Sequence, residues 1–160
     1  MAEWSELPLK YRLLMQTYRW RRIRPTPWTP LARPLSECRV ALVTSAGLYR
    51  PRLDRDFGTH EGEDITVRWL PHEVAGIRLA VGQTSLSFDH AAIVADQELA
   101  LPLRRLEELV ASGLVGSVAP RHVSFNGSML APGRFIRVTA PEVADGLAAD
   151  AVDAALFVPV

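Results

Sequence analysis

The chain has 160 residues and a mass of 17.7 kDa, enough to bury a single core in one domain. Apolar residues make up 48% and charged residues 22%, which excludes disorder and low complexity, and 18 basic residues balance 18 acidic ones, which excludes whole-chain attraction to nucleic acid. The single cysteine excludes an internal disulfide, a Cys-x-x-Cys redox pair and a cysteine-built zinc site, and no apolar run reaches the ~20 residues that span a bilayer.

Residues 1–37 read as an arm. They hold seven basic residues against three acidic ones, with Trp4, Trp20 and Trp28 interleaved. The spacing predicts a short amphipathic helix over 9–22, stopped by Pro25, Pro27 and Pro30. Such an arm can touch RNA or acidic lipid. The plainer alternative, favoured here, is that it lies on the domain or on a partner subunit, with its arginine stems packed. No nucleic acid and no membrane are expected as partners. The first ten residues show no apolar leader, so a cytoplasmic location is expected.

From residue 38 the texture is α/β. Val40-Ala41-Leu42-Val43 is a continuous apolar run, as in a strand buried on both faces. Strands are also predicted over 65–70, 77–81, 115–118, 123–125, 134–138 and 154–158. A polar loop spans 82–90. Helices are predicted over 102–112, with Pro102 in the first turn and Gly113 just past the end, and over 141–147. The pattern gives a mostly parallel open sheet, Rossmann- or flavodoxin-like and three-layered, in residues 38–160. The final strand, 154–158, is of the buried type. It has no loop or covering helix after it, so the sheet is expected to be incomplete at its carboxyl end, with a bare edge.

Candidate chemistry lies where loops follow strands. Thr44-Ser45-Ala46-Gly47 offers hydroxyls and backbone N–H groups to an anion, although it matches no phosphate-binding loop and by pattern alone reads first as a plain turn. Asp89-His90, with Asp96 beyond it, is the best acid/base pair, since a carboxylate beside an imidazole fixes its tautomer. Arg121-His122 lies in a second polar turn, where the guanidinium can clamp a carboxylate. His60 and His72 sit among acids and read as surface residues. Four histidines without tight ligand spacing give no metal site. Cys38 reads as a small buried filler.

Several of these stretches together resemble the selenoprotein B family, the glycine, sarcosine, betaine and D-proline reductases. Residues 38–47 are similar to that family's first strand. Phe88-Asp89-His90 with Asp96 resembles its Tyr-Asp-His…Asp segment. Pro102 to Leu109 resembles its Pro-Leu/Ile-Asp-Arg-Leu-Arg-Glu-Leu helix, and residues 113–125 its Gly-Val-Ile-Gly-Ser…Arg-His…Ser-Phe stretch. Residues 152–160 look like its VDAVLLTPV strand.

The resemblance implies reductive cleavage of a C–N bond in a small amino acid or amine. Asp89, His90 and His122 would be catalytic, and Thr44, Ser45, Gly47 and Arg121 would hold substrate at the carboxyl ends of the strands. It also implies a pyruvoyl-bearing partner subunit, a thiol or thioredoxin-type electron donor, and an oligomer. No cofactor is expected within the 160 residues. In the family the redox selenocysteine follows the final strand, so it is expected immediately after Val160, encoded by a UGA codon, with the 160 residues inactive by themselves. The competing reading is a non-catalytic α/β binding or assembly protein.

Overall fold

The computed structural model describes every residue except 1–7, 19–22, 58–63, 84–89, 128 and 130. The chain divides into two units, Met1–Pro30 and Leu31–Val160. In the first, helix α1 (Leu9–Thr17) buries no side chain within the described residues. It is shorter than the predicted 9–22. The Thr17 hydroxyl donates back to the Leu13 carbonyl at 2.8 Å, and Tyr18 turns extended. Residues 35–37, read from sequence as part of the arm, fall in the second unit, where Gly116 donates its N–H to the Leu35 carbonyl.

The second unit is a mixed α/β fold on a mostly parallel sheet. Strands β1 (Arg39–Thr44), β2 (Leu48–Tyr49), β3 (Val67–Pro71) and β4 (Ala80–Val81) lead into helices α2 (His90–Ala95) and α3 (Leu103–Ala111). Then come β5 (Ser117–Val118), β6 (Arg121–Phe125), α4 (Ala140–Ala149) and β7 (Ala154–Val158). β1 is central. It pairs in parallel with β7 on one side and with β5 and then β6 on the other, while β3 closes the sheet antiparallel to β6. β2 and β4 form a separate antiparallel pair.

The apolar run of β1 is buried on both faces, as predicted. Val40 and Leu42 join Leu70, Ile93, Leu103 and Leu106 in the core under α2 and α3. Ala41 and Val43 are buried toward the other face. Cys38 is fully buried, and its thiol points at the Pro34 carbonyl at 3.3 Å. The expected bare edge is present: among the described residues β7 pairs only with β1, and Leu156 and Phe157 are 50% and 66% exposed.

Two expectations are corrected, and one helix was not expected. Residues 134–138 do not form a strand. Phe135–Thr139 is a wide π-helical turn running into α4. Pro141 has no N–H to give to the carbonyl one α-turn back, so the helix loosens just before it. The Thr139 hydroxyl donates to the Ile65 carbonyl at 2.7 Å and ties that turn to the chain before β3. The predicted strand 77–81 shrinks to β4, because the Gln97 side chain takes both backbone groups of Leu79, accepting from its N–H at 3.1 Å and donating to its carbonyl at 2.7 Å. α2 was missing from the sequence reading, since six residues show too little periodicity.

α4 meets the sheet at Trp69 of β3. The Arg121 guanidinium lies 4.1 Å from the Trp69 ring centroid and binds Asp150, the residue after α4, at 2.6 Å. A Cβ on Gly146 would sit 2.6 Å from the same ring. Gly146→Ala gains about 1 kcal/mol of helix propensity but forces a rigid indole aside at a cost of about 1–3 kcal/mol. A lower urea midpoint for Gly146→Ala is therefore expected. An unchanged or higher midpoint would show that Trp69 has room to yield.

Candidate functional site

Parallel sheets of this kind present their ligand sites beyond the carboxyl ends of the strands. Here the loops after β1 and β6 zip together. Gly47 donates its N–H to the Phe125 carbonyl and Gly127 donates to the Ser45 carbonyl, both at 2.9 Å. Gly47 adopts φ +64, and a Cβ on it would meet the Gln83 nitrogen at 3.1 Å, so this approach needs glycine. A Cβ on Gly127 would meet the Ser45 carbonyl at 3.0 Å.

The side chains at this edge are short or neutral. Thr44 is fully buried and its Oγ1 accepts from the Ala46 N–H at 3.2 Å. The buried Ser124 hydroxyl accepts from the Leu48 N–H at 2.7 Å. Ser45 Oγ accepts from the Val160 N–H at 3.0 Å. Gln83 and Asn126 are buried, and the Gln83 amide donates to the Ser45 carbonyl at 3.4 Å. Asn126 Oδ1 is buried and has no hydrogen-bond partner. A buried acceptor left unpaired costs about 1–3 kcal/mol, so this oxygen is a place where a donor fits. Beside Gly82, the Asp56 carboxylate oxygen lies 3.0 Å from where a Cβ would be. Burial, and then Asp56, which accepts from its hydroxyl, hold the Tyr49 phenol above its ordinary value. The edge thus offers neutral hydrogen-bonding groups with one carboxylate nearby.

Of the residues predicted to share a crevice, Thr44, Ser45 and Gly47 stand together at this edge. Asp89 lies outside the described residues. His90 opens α2 and is exposed. Arg121 and His122 are elsewhere: they begin β6 rather than line a turn, opposite Pro71 and Leu70 of β3, at the amino end of the parallel strands. Arg121 is committed to Trp69 and Asp150. His122 is fully buried, and its Nδ1 accepts the Leu42 N–H at 3.0 Å. The position of His72 also differs from expectation. It is half-buried, its Nε2 is 3.2 Å from Glu107 Oε1, and its ring centroid is 5.9 Å from that of His122. Sequence reasoning missed Gln83 and Asn126. The available signal was Asn126-Gly127, a turn dipeptide directly after a strand.

Among the described residues, no group of three or more His, Cys, Asp or Glu side chains is placed to hold a metal ion, and no helix is long and apolar enough to cross a membrane. The chain is similar to D-proline reductase subunit gamma of Acetoanaerobium sticklandii, with 29% identity over 136 residues. The match covers 84% of this chain and 54% of that protein, so the chain spans about half the length of the curated relative. No family profile matches the chain, and neither does any solved structure.

Burial, and then the neighbouring His72, hold the His122 imidazole at about 4, below its ordinary 6.5. The unfolded chain therefore takes up this proton first as pH falls. Stability from the neutral ring is complete above about 6.5 and is lost progressively as pH falls toward about 4. The slope approaches ~1.4 kcal/mol per pH unit in mid-window. Urea unfolding free energies across that range should show this loss, and His122→Asn should flatten it. A flat profile in the unsubstituted protein would contradict a neutral buried ring.

Proposed function

We propose that the chain is a reductase-related subunit that holds a small amino acid or amine at the carboxyl edge of β1 and β6. Ser45, Gln83 and Asn126 would orient it, with Thr44 and Gly47 shaping the loop. One observation carries this reading: the unpaired, buried Asn126 Oδ1 sits at the edge where parallel sheets take ligands, in a chain similar to a D-proline reductase subunit. A secondary or primary ammonium supplies the N–H that this oxygen lacks. In this reading His90, preceded by Asp89 in the sequence, is assigned the proton transfer that the resemblance implies.

Reductive cleavage of a C–N bond takes two electrons and two protons. The carbon gains a C–H bond, the nitrogen leaves with a proton, and a dithiol or selenol–thiol pair ends oxidised. Cys38 is an unsuitable donor because its sulfur is fully buried and turned to the Pro34 carbonyl. The reading therefore assigns the redox step to another thiolate or selenolate, of which the selenocysteine implied by the resemblance is the first candidate. A partner subunit bearing a pyruvoyl group belongs to the same reading. The exposed Leu156 and Phe157 of β7 favour a role in assembly beside it.

Calorimetric titration with D-proline, sarcosine and betaine tests the site. D-proline and sarcosine carry N–H donors and are expected to bind. Betaine has none and is expected to bind at least tenfold more weakly. Asn126→Ala should weaken D-proline binding by about tenfold, in line with a lost hydrogen bond to a charged group of about 1.5 kcal/mol. Equal binding of betaine, or an unaffected Asn126→Ala variant, would remove Asn126 from the site. Absence of binding by all three would overturn the amino-acid reading.

A further inference from the structure

We propose that His122 and His72 are joined by one internal water, and that the chain His122–water–His72–Glu107 is a latch on the β1–β6 pairing that acid opens. The assignment follows from counting donors and acceptors. Because Nδ1 of His122 accepts from the Leu42 N–H, the proton of the neutral ring is on Nε2. That Nε2 is buried with no partner. His72 Nε2 faces the Glu107 carboxylate at 3.2 Å and is its donor, which leaves Nδ1 of a neutral His72 as an acceptor. That Nδ1 is also buried with no partner.

One orphan is thus a donor and the other an acceptor, on two rings 5.9 Å apart at 63°. Neither nitrogen makes a hydrogen bond to the other. A water accepting from His122 Nε2 and donating to His72 Nδ1 satisfies both, and buried polar gaps of this kind are where internal waters are retained.

The latch follows from what the pair holds. Leu42 donates its N–H to an imidazole nitrogen and to no backbone carbonyl. A proton on His122 puts hydrogens on both ring nitrogens, so the Leu42 N–H faces a donor and that bond is lost. Few charged groups bear on the pair. From α3, Glu107 faces His72. In β6, Arg121 is occupied by Asp150 and Trp69. In β3, Arg68 is occupied by the Arg55 and Asp56 carbonyls. β1 from Val40 to Thr44 has no titratable side chain.

The test uses the full chain labelled with 15N. Long-range proton–nitrogen spectra at pH 7 are expected to show His122 as the Nε2–H tautomer, with a cross-peak from that proton to a long-lived water. Between pH 6.5 and pH 4 the exchange protection of the Leu42 amide should fall at least tenfold more than that of Ala41 and Val43, which donate on the β7 side. His72→Leu should abolish the water cross-peak and cut Leu42 protection at least tenfold at pH 7. Glu107→Gln keeps an acceptor on α3 and should change Leu42 protection by less than about twofold. A His122 Nδ1–H tautomer, a direct nitrogen–nitrogen coupling between the rings, or Leu42 protection that follows its neighbours at every pH would each overturn the proposal.

Discussion

A single hydrogen bond, from the Leu42 N–H to His122 Nδ1, closes a gap that the sheet cannot close with backbone alone. β5 and β6 lie on the same side of β1 but out of step. Between their registered pairs β1 advances three residues, from Val40 to Val43, while the partner strand advances five, from Val118 to Val123. The two surplus residues bulge around Pro120, whose carbonyl is taken by the N–H of His72, the residue after β3. The ladder donor at Leu42 then has no carbonyl opposite it. An imidazole is long enough to reach it from the adjacent strand and, unlike a carboxylate or an amide, leaves no charge and few surplus polar atoms in the core. The bulge, the proline and the buried histidine are therefore one device.

That device separates the two ends of the sheet. At the amino end, carboxylates tie elements together: Asp150 to Arg121, Glu107 to His72, and Asp153 to the Arg39 N–H. Each carboxylate there has a partner, so burial costs little. At the carboxyl end the side chains from the strands are hydroxyls and amides, and glycines let the backbones close up. Such a surface forms few competing salt bridges, and a charged ligand would meet little that must first be displaced.

The parts of the fold legible in the sequence were those fixed by burial on two faces or by end signals. The run 40–43 and α3 between Pro102 and Gly113 lie where the pattern placed them; the strand 154–158 also forms, though none of its side chains is buried. What failed depended on distant partners. The stretch 134–138 reads as alternating, as a strand would, but only Pro141 and the Ile65 carbonyl decide the turn. Arg121-His122 looked like a polar turn because its neighbours are Pro120 and Ser124; that a histidine would complete a ladder needs the register of three strands. Of the site, the hydroxyl-bearing turn after β1 was visible, because strand ends are readable. Gln83 and Asn126 were not, because neutral amides gain meaning only when burial leaves one unpaired.

The central position of β1 also orders events during synthesis. Arg39 and its partner Asp153 are 114 positions apart, so the strand at the middle of the sheet is made early and its β7 neighbour last. At 5–20 residues per second the interval is on the order of 10 s. Over that time Val40 to Val43, an apolar run buried on both faces, stands without one of its strand neighbours. An unpaired apolar strand waiting that long is a template for pairing with other nascent chains. Its protection meanwhile falls to β5 and β6, which arrive first on the other side and are clasped to it through His122.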